Sequence, residues 1–261
     1  MYATNYLEAA ILNTMRGNAF TAPAKVYLAL FLTSPTDAAA GTEVSYEGYQ
    51  RLPVAFTPPA ARAAAGGVSV ENTEQITFAT SPIDAGTVAF IGILDSPAAG
   101  NMLAWGELTD PLEVRAQVAP VFTPGTLVYT INGDLTEAYK IKYLDAAFRG
   151  RSVEGFTLHG ALFNGDPEQG GAELSGENYS RVPLAMSAPK EAESGQMTIE
   201  NSAAASFNRP TTNWGNWNYT ALYDSASGGL PVWKQEKTPP WELKPGRMPL
   251  MEQGAVKISV N

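Results

Sequence analysis

The sequence predicts a mainly β protein built as two tandem antiparallel β-sandwich domains, each opened by a short helix. Three observations predict it. Short apolar runs alternate with Gly, Pro, Asn and Asp along the whole chain, which is the punctuation of strands and turns. A run of matched residues recurs at a separation of roughly 130 positions, far longer than a solenoid period. Hydrophobic residues make up 44 % of the 261 residues and charged residues only 16 %, enough apolar surface to fill a packed interior.

The repeat is read residue by residue. Glu43-Val44-Ser45 with Tyr49, Arg51 and Pro53 returns as Glu173-Leu174-Ser175 with Tyr179, Arg181 and Pro183. Val68 to Asn72 returns as Met197 to Asn201, Phe78 as Phe207, and Gly86, Val88 and Phe90 as Gly215, Trp217 and Tyr219. Leu94-Asp95-Ser96 answers Tyr223-Asp224-Ser225, and Gly100 answers Gly229. These matches divide the chain into residues 1–133 and 134–261, with each copy expected to be a complete domain around its own core.

The elements follow in order. Tyr6, Leu7, Ala10, Ile11, Thr14 and Met15 share one helical face, with Gly17 as the stop. In the second copy Tyr143-Leu144-Asp145-Ala146-Ala147 echoes Tyr6-Leu7-Glu8-Ala9-Ala10, and the nearby Gly150 and Gly155 predict a shorter helix. Val26 to Leu32 is a strand covered on both faces, matched by Phe156 to Phe163. Strands are then expected at 49–56, 68–70, 75–78, 87–94, 102–105 and 126–131, about seven per copy, as in a Greek-key sandwich. In the last of these Leu127, Tyr129 and Ile131 alternate with Val128 and Thr130. Val256, Ile258 and Val260 keep that parity, so the same face is expected to be buried in both copies.

Composition excludes several functions. A net charge of −9 repels phosphate backbones and anionic membranes, so neither nucleic acid nor a membrane is an expected partner. Lys140-Ile141-Lys142 and Lys244 to Arg247 are too short to change this and read as solvated surface. With no cysteine there is no disulfide framework, thiolate ligand or cysteine nucleophile. No signal peptide is readable at the N-terminus, which gives synthesis in the cytoplasm. The one histidine, His159, lacks a Gly-x-Ser-x-Gly partner motif, and Asn164-Gly165-Asp166, Asp95 and Asp224 read as turns. The chain is therefore expected to be non-enzymatic, with no catalytic residue, metal or cofactor.

Four residues stand out as contacts. Trp214 and Trp241 have no large aromatic counterpart in the first copy, which makes them candidates for an exposed interface or for stacking on a glycan. Trp217 and Tyr219 share parity with Val88 and Phe90 and are expected in the core. Arg51 and Arg181 are candidates for holding a neighbouring subunit, against the plainer reading of pairs with Glu43 and Glu173 inside each domain.

One pattern carries a resemblance. It runs from the Tyr-Leu-x-x-Ala-Ile-Leu helix through Val26-Tyr27-Leu28-Ala29-Leu30-Phe31 and Gly41 to Arg51. It continues through Gly86-Thr87-Val88, Ile91 to Asp95 and Gly100 to Leu103, and ends at Trp105-Gly106-Glu107-Leu108-Thr109. The pattern resembles a family of small tailed-bacteriophage proteins described as tail fibre or virion structural proteins. The second copy departs from it, with Ala221 in place of Gly92 and added tryptophans. The resemblance implies a virion component assembled in the host cytoplasm. Its implied place is the tail, baseplate or connector region, where symmetric copies dock on other phage structural proteins. A carbohydrate-binding host-recognition module is the alternative, and a polysaccharide hydrolase the third reading.

Overall fold

The computed structural model describes residues 1–37, 39–62 and 67–260; Asn261, which closes the second copy, lies outside the described residues. The first copy opens with β1 (Tyr2–Ala3) and α1 (Asn5–Thr14). Then come β2 (Val26–Phe31), β3 (Leu52–Val54), β4 (Ala60–Arg62), β5 (Gly67–Glu71) and β6 (Ile76–Thr77). The long hairpin β7 (Gly86–Leu94) and β8 (Met102–Val114) follows, and β9 (Val121–Phe122) and β10 (Val128–Ile131) complete the copy.

The second copy opens with α2 (Glu137–Arg149) and continues with β11 (Leu158–Asn164), β12 (Ala172–Glu173), β13 (Val182–Leu184), β14 (Lys190–Glu191) and β15 (Met197–Glu200). After β16 (Ala205–Ser206) comes its long hairpin, β17 (Gly215–Tyr223) and β18 (Pro231–Leu243), and then β19 (Leu250–Met251) and β20 (Lys257–Ser259).

Both copies arrange their strands alike, all antiparallel. The main sheet of the first runs β1-β8-β7-β2-β3; that of the second runs β18-β17-β11, with β12 and β13 both on the far edge of β11. Smaller sheets β10-β5-β4 and β6-β9 in the first copy match β20-β15-β14 and β16-β19 in the second. Parity is kept as expected: Leu127, Tyr129 and Ile131 are buried, as are Val256, Ile258 and Val260.

Each hairpin shifts register twice, and the shift farther from the turn resets which residues face the core. Between Val88 and Phe90 the register of β7 on β8 slips, so Val88 opposes Leu112 while Phe90 opposes Glu107. Leu108 to Pro111, extra residues within β8 opposite Ala89, absorb the difference, as bulges do. Val88, Ile91 and Ile93 therefore face the main core, while Phe90 packs with Ala29, Phe31 and Leu94 on the other face. Trp217 and Tyr219 are divided in the same way, which corrects the expectation that both lie in one core.

Four further expectations are corrected. α2 is longer than α1, because Gly150 takes the left-handed cap position (φ 75°) just beyond it and Gly155 lies outside the helix. The helices align by their cap threonines: Thr4 Oγ1 donates to Met102 O and Thr136 Oγ1 to Pro231 O, both at 2.6 Å. Leu7 thus corresponds to Tyr139, and the Tyr143-Leu144 echo is out of register. Lys140 is buried on α2 rather than solvated. Finally, the copies do not hold separate cores. One contiguous apolar cluster runs from Ala3 to Val260 and includes the inner faces of both copies and both helices.

Candidate functional site

Both candidate arginines sit in a polar cluster that recurs in each copy. Arg51 clamps Glu43 with Nε on Oε1 at 3.0 Å and Nη2 on Oε2 at 2.8 Å, while its Nη1 donates to Ala99 O at 2.6 Å and Ser96 O at 3.3 Å. Tyr49 OH donates to Glu43 at 2.8 Å and accepts from Leu30 N at 3.0 Å. Arg181, Glu173 and Tyr179 repeat this, with Nη1 on Gly228 O at 2.6 Å and Ser225 O at 3.1 Å. Arg181 also lies 3.6 Å above the Tyr223 ring. The planar fork suits a bidentate carboxylate and leaves the last nitrogen for the hairpin carbonyls. Hydrogen bonding to Glu43 holds the Arg51 guanidinium above its ordinary value, and burial raises the Tyr49 and Tyr179 hydroxyls. Both arginines are thus spent inside their own copies, pinning the β7-β8 and β17-β18 turns. Of the two readings of Arg51 and Arg181, the plainer one, a pair with Glu43 or Glu173 inside each copy, is the arrangement present.

Trp214 is also corrected. Its indole is buried, donates to Glu177 O at 3.1 Å and stands edge-on to Tyr179 at 5.2 Å. In the first copy Tyr46 fills this place, 5.4 Å from the Tyr49 ring, with its hydroxyl on Ala79 O. The second copy has Gly176 where the first has Tyr46, and a methyl there would sit 2.5 Å from Trp214 Cδ1. One loss of bulk, Tyr46 to Gly176, matches one gain, Ala85 to Trp214. Read jointly, those positions were the available signal.

Trp241 lies opposite Trp217 across the hairpin, with ring centroids 6.0 Å apart, and Arg247 lies 5.9 Å from its ring. It is half-buried. His159 is half-buried on β11 with Nδ1 3.0 Å from Thr157 O. Asp166 caps the turn at Pro167–Gln169 and pairs with Lys234, and Asp95 and Asp224 each accept from the backbone of their hairpin turn. Among the described residues no His, Asp and Glu group could hold a metal ion, and no helix is long and apolar enough to cross a membrane.

Two surface features were not read from the sequence. The first is a cleft of about 600 Å³ lined by Tyr2, Trp105, Asp37, Glu8 and Glu107 together with Ser194 to Gln196 of the second copy. Tyr2 lies on Trp105 at 5.3 Å, and Trp105 Nε1 donates to Asp37 at 3.0 Å. Glu8 is only 5 % exposed and accepts from Met197 N at 2.7 Å. Burial, opposed by that hydrogen bond and reinforced by Asp37 and Glu191, pushes its carboxyl up to about 7. The second is a pair of matched apolar positions, Val121 on β9 and Leu250 on β19, both open to solvent. Ile83 and Val118 in the first copy and Met248 in the second are exposed as well.

A family model described as Podophage GP4 fiber I protein gp80 matches the chain twice, over residues 2–130 and again over 134–259. No curated protein matches it.

Proposed function

The chain belongs to the podophage GP4 fiber I protein gp80 family, and from that membership we propose that it is a non-enzymatic structural protein of the phage tail. It works by docking on neighbouring virion subunits, in several symmetric copies. The observation that carries this reading is the family match over both copies. The surface supports it, because Val121 and Leu250 keep an exposed apolar side chain at one matched position. A single exposed apolar residue is ordinary, but its recurrence on diverged copies favours a contact. Mass spectrometry of purified virions, followed by electron cryomicroscopy of the particle, tests the reading. Density for the chain at the tail is the expected result, and its absence from virions overturns it.

The Tyr2 and Trp105 pair favours a second reading, a host-surface glycan contact. Aromatic faces stack on sugar rings, and Asp37 and Glu107 beside them can accept hydroxyl hydrogen bonds. Trp241 offers a second half-open face. A glycan array probed with the intact protein and with Trp105→Ala and Trp241→Ala distinguishes the readings. Binding lost in either variant supports the glycan contact, and no binding by the intact protein removes it.

A further inference from the structure

Each helix lies between its own copy's long hairpin and the other copy's small sheet. α1 packs on β8 of the first copy and on β15 and β20 of the second, while α2 packs on β18 of the second and on β5 of the first. Contacts that come in such exchanged pairs are the mark of a twofold, self-complementary interface.

The centre of the body repeats this. Phe20 N donates to Val153 O at 2.8 Å and Val153 N to Phe20 O at 3.0 Å, the reciprocal pair of an antiparallel ladder. Thr14 Oγ1 meets Tyr143 OH at 2.7 Å where the helices approach each other. The backbones touch so closely that a methyl on Gly155 would lie 2.1 Å from the carbonyl carbon of Gly17. Outside this centre, each helix end reaches across. Phe148 of α2 lies 5.1 Å from Phe56 and 5.0 Å from Tyr129 of the first copy. Arg16, just past α1, donates to Met186 O of the second at 3.3 Å. Phe56 and Met186 are counterparts, each bridging to the buried asparagine of its own copy, Asn72 or Asn201.

We infer that the chain is a tethered dimer: the face each copy buries fits a second copy of the same module, and neither copy keeps its fold without that partner. The physical reason is cover. Without α2, β5 and Tyr129 of the first copy lose the apolar surface that closes their inner face. Without α1, Ile199 on β15 and Ile258 on β20 lose theirs. The exposed connection at Asn132 to Asp134 adds proximity, which raises the effective concentration of each copy for the other without adding a contact.

The test places a specific protease site between Gly133 and Asp134 of the full chain and cuts it after folding. The fragments are expected to stay together in gel filtration as one particle of the uncut mass. Their melting temperature, independent of concentration before the cut, is expected to rise with concentration after it. Two folded fragments that elute apart, each melting cooperatively, overturn the proposal. Hydrogen exchange on the intact chain gives a second measurement. Phe148→Ala, a change in the second copy's sequence, is expected to speed exchange of the β5 and β10 amides of the first copy about tenfold or more. Confinement of the change to the second copy overturns the proposal as well.

Discussion

Residues that sequence alone left with two readings are decided by their partners. Arg51 and Glu43 match Arg181 and Glu173 in spacing, and that spacing is equally compatible with an external contact; only the carbonyls of Ser96 and Ala99 show that the guanidinium is fully engaged. Removing it strands a carboxylate and two carbonyls, so Arg51→Ala is expected to lose about 2–3 kcal/mol in urea unfolding. Arg51→Lys is expected to recover little of this, since an ammonium cannot span both carboxylate oxygens. Trp214→Ala is expected to cost about 3–5 kcal/mol, the range for a buried aromatic, where an exposed indole would cost almost nothing. Glu8 was read only as a member of the helix, because its burial comes from the other copy. Its folded pKa of about 7 exceeds the ordinary value of 4.5, so the folded state binds the extra proton between those values. Its contribution is therefore greatest below pH 4.5 and is lost as pH rises through about 7. Stability measured across that window is expected to fall by on the order of 2–3 kcal/mol, and Glu8→Gln is expected to flatten this part of the profile.

At the scale of elements, strands were legible wherever alternation was uninterrupted, as at Leu127 to Ile131, because period-two burial needs no knowledge of the partner. The β7-β8 hairpin was only partly legible. A bulge resets parity without changing composition, and nothing in Thr-Val-Ala-Phe marks where the reset falls. Helix register failed for a related reason. Tyr-Leu followed by an acid and two alanines is a strong local match, but the capping threonines set the true alignment. Each does so through a bond to the hairpin, a long-range feature. Thr4 and Thr136 are both buried, and each ties its helix to the strand that follows the hairpin turn. Thr4→Val and Thr136→Val are each expected to cost about 1–2 kcal/mol in thermal or urea unfolding. A loss at both positions would follow from the shared register, the Thr4 loss being the larger because its Oγ1 also accepts from Leu7 N while Thr136 makes no side-chain cap bond, whereas the Tyr6 to Tyr143 alignment gives Thr136 no equivalence to Thr4.

For the whole molecule, duplication was legible and the sharing of the core was not. A repeat states which side chains are buried in each copy, but an apolar face reads the same whether its own copy or the neighbouring one covers it. Each helix packs on strands of both copies, and one apolar cluster spans the two. In the proposed docking, Val121 and Leu250 are two matched exposed positions, one on each copy. Each is open to solvent and lies on a short strand whose next residue, Phe122 or Met251, faces the core. A charge at either point is therefore tolerated by the fold and opposed by an apolar partner. The double change Val121→Asp and Leu250→Asp is expected to leave the melting temperature within a few degrees of the parent, since isolated surface substitutions usually shift stability by less than about 0.5 kcal/mol. The same protein, supplied during infection in place of the parent, is expected to be depleted from purified particles. Full incorporation of the double variant would place the docking surface elsewhere on the body.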